Sequence, residues 1–216
     1  MSKTLKKIWK ENKSLLVFIS LMLVFRSAVA DWNDVPTGSM KPTIVEGDRI
    51  LINKLAYDIN MPFTQKSLIK LADPKVNDII IFESKAADKR LVKRVIGVPG
   101  DIVAMANNEL TINNQKVPYS TTKFDTDKTI LNEKIAHNSH TIQLTKSSSH
   151  LANFEAVKVP KGYYLVLGDN RNNSADSRVI GFVPRDEIIG RSSKVVLSLD
   201  YDNYFLPRTE RFLLDI

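Results

Sequence analysis

The chain has 216 residues, 43% hydrophobic and 25% charged, which suits one domain, with or without an insertion, and is incompatible with a wholly disordered chain. It contains no cysteine, which excludes a disulfide framework, thiolate metal sites and a cysteine nucleophile. The net charge of +7 is not a nucleic-acid signature, because residues 1–13, with five lysines against Glu11, hold +4 of it and the rest only +3.

The chain opens on Lys3, Lys6, Lys7, Lys10 and Lys13, then an uncharged apolar run from Leu15 to Phe25, then Arg26 and Ala28-Val29-Ala30. Two readings compete. A cleavable signal peptide has a basic start, a short apolar centre and an Ala-X-Ala cleavage site. An uncleaved anchor over residues 14–30 would reach roughly 26 Å at 1.5 Å per residue, the low edge of spanning length. Arg26 would then snorkel from the last turn, with Trp32 at the interface. In both cases the lysines stay cytoplasmic and the remainder is exported.

Beyond Asp31 the pattern is of strands. Residues 49–55, 78–82, 90–96 and 163–167 are short, β-branched or aromatic, and flanked by turn residues. Val98-Pro99-Gly100-Asp101 fits a type II turn. Leu110 to Val117 reads as a hairpin turning at Asn113-Asn114. Residues 104–160 are richer in Asn, Thr, Ser and Lys and hold His137, His140 and His150. They read as an insertion or cap on a barrel-like, antiparallel, mainly β core built from about 32–103 and 161–200.

Three stretches could carry chemistry. In Val35-Pro36-Thr37-Gly38-Ser39-Met40-Lys41-Pro42, glycine and flanking prolines suggest a rigid turn presenting Ser39. A serine hydroxyl needs a base to become a nucleophile. The histidines lie in the cap, and His137 and His140, at i, i+3, lack the further ligands a metal site requires. A lysine can serve if burial keeps it neutral. Lys93 is the candidate, since alternation places it with Leu91 and Val95 on the apolar face of its strand, with Arg94 opposite. The third stretch, Gly168 to Arg178, is almost wholly hydrogen-bonding. It is either a polar knot with Asp169–Arg171 or Asp176–Arg178 pairing, or a support for a catalytic group.

Together these stretches resemble the bacterial type I signal peptidases. Thr37-Gly38-Ser39-Met40-Lys41-Pro42-Thr43 with Glu46-Gly47-Asp48 is similar to that family's serine box, and Lys93 to Asp101 to its lysine box. Asn77 to Phe82 is similar to its intervening strand box, and Gly168–Arg178 with Gly181-Phe182-Val183-Pro184 to its final box. The matched blocks span about 35–190 in the family's order.

The resemblance implies that Ser39 is the acylating nucleophile and Lys93 its neutral general base. It implies an oxyanion hole of the Ser39 N–H and the Thr37 hydroxyl, with Ser174 orienting the Lys93 amine and Asp176 and Arg178 structuring the loop. It implies small pockets near Val35, Met40, Ile44 and Val92 that admit alanine-sized side chains. No metal or cofactor is implied. The partners implied are signal-peptide-bearing precursors and a lipid bilayer, with no nucleic acid. It favours the uncleaved anchor: single-pass in the cell membrane, N-terminus cytoplasmic, catalytic domain on the outer face. Ala28-Val29-Ala30 is then a potential self-cleavage site. Asn172 stands where the family frequently has aspartate, and Asn77 where glycine is usual. Two other readings compete. Self-cleaving repressors share the fold and dyad but need a DNA-binding helix-turn-helix where this chain has an apolar span. An inactive, membrane-tethered β-domain acting as a scaffold would not require Ser39, Lys93, Thr37 and Ser174 together.

Overall fold

The computed structural model describes residues 3–64, 66–136, 138–146 and 149–216, with side chains from Asn12 onward. His137 and the first two residues of the basic tail therefore lie outside the described residues. Helix α1 (Lys3–Ala28) leads into β1 (Ala30–Asp34), β2 (Asp48–Asn53), β3 (Asp58–Asn60) and β4 (Ser67–Lys70). Next come β5 (Ile79–Ser84), β6 (Lys89–Gly97), β7 (Ile102–Ala106), β8 (Glu109–Ile112) and β9 (Gln115–Lys116). Then follow β10 (Tyr119–Phe124), β11 (Lys128–Ile135), β12 (Asn138–Thr145), β13 (Phe154–Lys158) and β14 (Tyr163–Leu167). A short helix α2 (Ser177–Ile180), β15 (Val183–Pro184), β16 (Ile188–Asp200) and β17 (Leu206–Pro207) complete the chain.

The main sheet is antiparallel and runs β1-β2-β16-β5-β6-β14-β15, with β17 on β16. It does not close, which corrects the barrel-like expectation. β1, arriving directly from α1, pairs only with β2, and β15 adds just two residues beside β14. The two outer strands therefore have no ladder in common. The long β16 serves both halves, pairing with β5 through its first residues and with β2 through the rest, and register shifts bend it between them.

Local chemistry explains the turns. Gly100 has φ +99°, and the Asp101 N–H donates to the Val98 carbonyl, as the Pro-Gly turn requires. Asn113 and Asn114 take φ of 51° and 64°, the left-handed pair of a two-residue hairpin between β8 and β9. Asn77 has φ 74°, which explains why glycine suits this position and why asparagine can replace it.

The cap consists of a sheet of β13-β7-β8-β9 and another of β10-β11-β12. It is not a polar appendage. Val103, Met105, Leu110, Val117, Ile135 and Val159 form one buried cluster with Ile96, Leu165 and Leu167 of the main sheet. A second cluster, containing Val35, Met40, Ile44, Ile50, Ile52, Ile79, Ile81 and Val195, lies directly beneath the Ser39 turn. Burial of each such side chain contributes about 1.5–3 kcal/mol.

Candidate active site

Ser39 sits in a tight turn after β1. The Lys41 N–H closes on the Gly38 carbonyl at 3.1 Å and the Ile44 N–H on the Met40 carbonyl at 3.0 Å. Met40 and Ile44 plug the turn into the core below, leaving Ser39 half-buried above them. The far end of the turn is held by Arg211, whose guanidinium bridges the Thr43 carbonyl at 2.9 Å and the buried Asp48 carboxylate.

Lys93 lies mid-strand in β6, opposite Ile80 of β5. It is 2% exposed, and its Nζ stands 2.8 Å from Ser39 Oγ and 2.9 Å from the Val92 carbonyl. Burial outweighs the opposing pull of Asp176 and Asp169 and brings its pKa down from 10.5 to about 8. Arg94 points to the opposite side and makes a bidentate, buried pair with Asp169 at 2.9 and 2.8 Å. Asp169 also accepts from the Thr43 hydroxyl at 2.5 Å, which ties the strand of the lysine to the turn of the serine. Asp169 is therefore not paired with Arg171. Arg171 reaches into the cap to Glu133, both fully buried.

The segment after β14 presses on the serine from the other side. The Asn170 N–H donates to the Ser39 carbonyl at 3.1 Å, and its Nδ2 donates to the Gly38 carbonyl at 3.0 Å. A Cβ on Gly168 would fall 2.4 Å from the Ser39 carbonyl oxygen and 2.3 Å from Ser174 Oγ, so only glycine permits this approach. Asp176 accepts from the Gly168 N–H at 3.0 Å and pairs with Arg178 at 2.8 and 2.6 Å. Arg178 also donates to the Leu151 carbonyl of the cap at 2.6 Å. Asn172 accepts from the Thr145 N–H at 3.0 Å, again joining this loop to the cap.

Ser174 is buried, and its hydroxyl has no hydrogen-bond partner among the described residues. The bond to the Lys93 amine that the resemblance implies is not formed, because Nζ is directed at Ser39 Oγ and the Val92 carbonyl.

Ser39 and Lys93 face a cleft of about 430 Å³. Val35, Met40, Ile44 and Val92 all line it, as does Thr37. The Ser39 N–H and the Thr37 hydroxyl donate to no protein acceptor among the described residues. One wall is the Lys89–Val92 stretch of β6, bonded to β5 on one side, whereas β14 begins to pair only from Arg94. The histidines lie elsewhere. His140 is in the cap with its side chain 7% exposed, 3.1 Å from Glu133, and His150 is exposed.

Sequence reasoning missed Asn170, Asp48 and Arg211. The position of Asn170 in the polar Gly168–Arg178 stretch was the available signal for the first. Asp48 lay in the Glu46-Gly47-Asp48 block that resembles the serine box but was given no role, and nothing local marks Arg211.

A hydroxyl held against a desolvated amine at a cleft wall can act as a nucleophile with its base. Comparison with known proteins gives the class. Residues 8–197 match the family described as signal peptidase, peptidase S26. The chain is 33% identical over 203 residues to "Signal peptidase I" of Pseudomonas fluorescens, covering 87% of this chain and 72% of that protein. It is 32% identical over 190 residues to "Signal peptidase I" of Bacillus amyloliquefaciens, covering 87% and 84%. A crystal structure of a signal peptidase I from Enterococcus faecalis V583 matches with 29% identity and a TM-score of 0.36, over 56% of this chain and 98% of that one. The chain belongs to the peptidase S26 family and is a serine endopeptidase of the signal peptidase I type.

Proposed function

We propose that the chain is a membrane-anchored signal peptidase that works through a Ser39–Lys93 dyad. The observation that carries this reading is the 2.8 Å separation of Lys93 Nζ from Ser39 Oγ, at a lysine whose burial makes it neutral in a large fraction of molecules near pH 8. The precursor's cleavage segment lies extended along the unpaired side of Lys89–Val92, where backbone hydrogen bonds supply affinity. Val35, Met40, Ile44 and Val92, which line the cleft, select small side chains beside the scissile bond in this reading.

Neutral Lys93 takes the Ser39 proton as Oγ attacks the carbonyl carbon. The oxyanion is received by the Ser39 N–H and the Thr37 hydroxyl, and losing one such donor costs about 2.7–4 kcal/mol of barrier. The resulting ammonium has three N–H groups to satisfy, and the unpartnered Ser174 hydroxyl accepts one of them, orienting the amine at this stage. Lys93 then protonates the leaving amine. Water, deprotonated by Lys93, attacks the ester carbonyl carbon; the C–Oγ bond breaks as the Lys93 ammonium returns the proton to Ser39 Oγ, and the acyl group leaves as the carboxylic acid.

Among the described residues no helix is long and apolar enough to cross a membrane. The anchored topology rests instead on the run Leu15–Phe25, in which Leu15, Phe18, Leu21 and Phe25 are more than half exposed and meet no protein core. Lipid is the medium that would cover them. The lysine-rich start keeps the N-terminus cytoplasmic and places the cleft on the outer face of the cell membrane. Ala28 ends α1 and Ala30 is paired with Asn53 in the sheet, so self-cleavage at Ala28-Val29-Ala30 would require this junction to open into an extended segment first.

The test is cleavage of a model precursor by the purified protein. Ser39→Ala abolishes it, and Lys93→His, basic but shorter, retains less than about a thousandth, the upper part of the general-base range. Near-native turnover by either variant overturns the assignment.

A further inference from the structure

Only Val29 separates the end of α1 from the start of β1. The last turn of a helix leaves carbonyls without intrahelical partners. Here Lys54, just after β2, fills that role: its Nζ donates to the Arg26 carbonyl at 2.9 Å and the Ser27 carbonyl at 3.2 Å, and lies 3.5 Å from Asp31 Oδ2. Its backbone N–H donates to the Val29 carbonyl at 3.0 Å. A cation at a helix C-terminus also meets the favourable end of the helix dipole.

Two more contacts grip the same turn. The Phe63 N–H, from the loop between β3 and β4, donates to Ser27 Oγ at 2.6 Å. Arg26 folds back onto the sheet, with Nε 2.6 Å from Asp31 Oδ1 and its guanidinium 4.3 Å above the Trp32 ring. A tether that only kept the domain near a membrane would need none of these bonds. From Ala30 the path to the nucleophile is equally fixed, through β1 in register with β2 and a turn pinned by Asn170 and Arg211.

We infer that Lys54 is a positioning residue that makes α1 a rigid mount, holding Ser39 at a set height above the bilayer so that the scissile bond is chosen by depth as well as by side-chain size. The inference rests on the anchored-peptidase reading above. It concerns which bond in a membrane-embedded precursor is presented, not the chemistry at Ser39.

The experiment uses the full chain in phospholipid vesicles. The precursor carries two Ala-X-Ala sites about six residues apart after its apolar segment, roughly 20 Å of extended chain. Product N-termini are read by mass spectrometry, and a water-soluble single-site peptide is assayed in parallel. Wild type uses one site predominantly. Lys54→Met, and a Gly-Ser-Gly-Ser insertion between Ala28 and Val29, leave kcat/KM on the soluble peptide within about threefold and shift the site ratio towards equal use by about fivefold or more, a change set by the loss of fixed geometry. The insertion keeps Lys54 and all catalytic groups, so it answers the question even where Lys54→Met folds poorly. An unchanged site ratio in either variant, with soluble-peptide cleavage intact, overturns the inference. Failure of wild type to cut either substrate overturns the anchored-peptidase reading instead.

Discussion

Gly168 lies so close to Ser39 that a Cβ on it would sit 2.4 Å from the Ser39 carbonyl oxygen. That contact, beside the Asn170 N–H bonded to the same oxygen, lets the loop after β14 set the position of Ser39, the proposed nucleophile. Gly168→Ala must push the two segments apart. The expected result is a stability loss of about 1–3 kcal/mol, typical of overpacking, with a fall in kcat of about a hundredfold from displaced reacting groups. Chemical denaturation and steady-state kinetics on the same sample test it; wild-type kcat would show that the turn tolerates the displacement.

The pH profile of kcat/KM reports the free base. As the proposed base, Lys93 must be neutral to accept the Ser39 proton, and its pKa is lowered to about 8. Activity therefore rises with pH through about 8 and falls about tenfold per unit well below it. A profile flat from pH 6 to 9 would assign the base elsewhere.

The same burial makes Lys93 costly to the fold. Its folded pKa lies below the unfolded value, so the unfolded chain binds its proton more tightly. The penalty is complete below pH 8 and is relieved as pH rises from 8 towards 10.5. The full shift corresponds to about 3 kcal/mol, partly offset by two hydrogen bonds of about 1 kcal/mol each. Lys93→Met should be more stable than wild type by about 1 kcal/mol at pH 7, with the advantage gone by about pH 10.5. Urea melts at both pH values decide this, and a variant less stable at pH 7 would contradict it.

Ser174 offers a case where stability and turnover separate. Its buried hydroxyl has no hydrogen-bond partner among the described residues, so Ser174→Ala removes an unsatisfied group and leaves the fold at least as stable. If the hydroxyl accepts from the Lys93 ammonium during the reaction, kcat drops about tenfold or more while the melting midpoint holds. Parallel losses of both would mark the residue as structural only.

The parts of the fold that were legible in sequence are those set by neighbours along the chain. The apolar runs of β5, β6 and β14, the Pro-Gly turn at Gly100 and the paired asparagines at 113 and 114 each follow from local residue types. The strand β16 was not, because Ser, Arg and Lys interrupt its alternation and its register shifts with two partners. The apolar cap cluster was also hidden, since its members are single residues scattered among polar ones. Gly, Pro and alternation made Ser39 and Lys93 candidates and the resemblance joined them, yet the contacts that brace their two segments were not legible. Arg94 meets Asp169 75 residues away and Arg211 meets Asp48 163 residues away. An arginine on a strand gives no sign of which distant carboxylate it will meet.

On the proposed docking, the side of β6 from Lys89 to Val92 that no described strand pairs has a consequence for the cargo. Such an edge offers its amides and carbonyls only to a segment whose own are still unsatisfied. A passenger protein that has already folded around its cleavage segment has nothing left to exchange. Trimming by an enzyme of this shape is thus a race against the maturation of what it releases, won only while the newly exported chain is still slack.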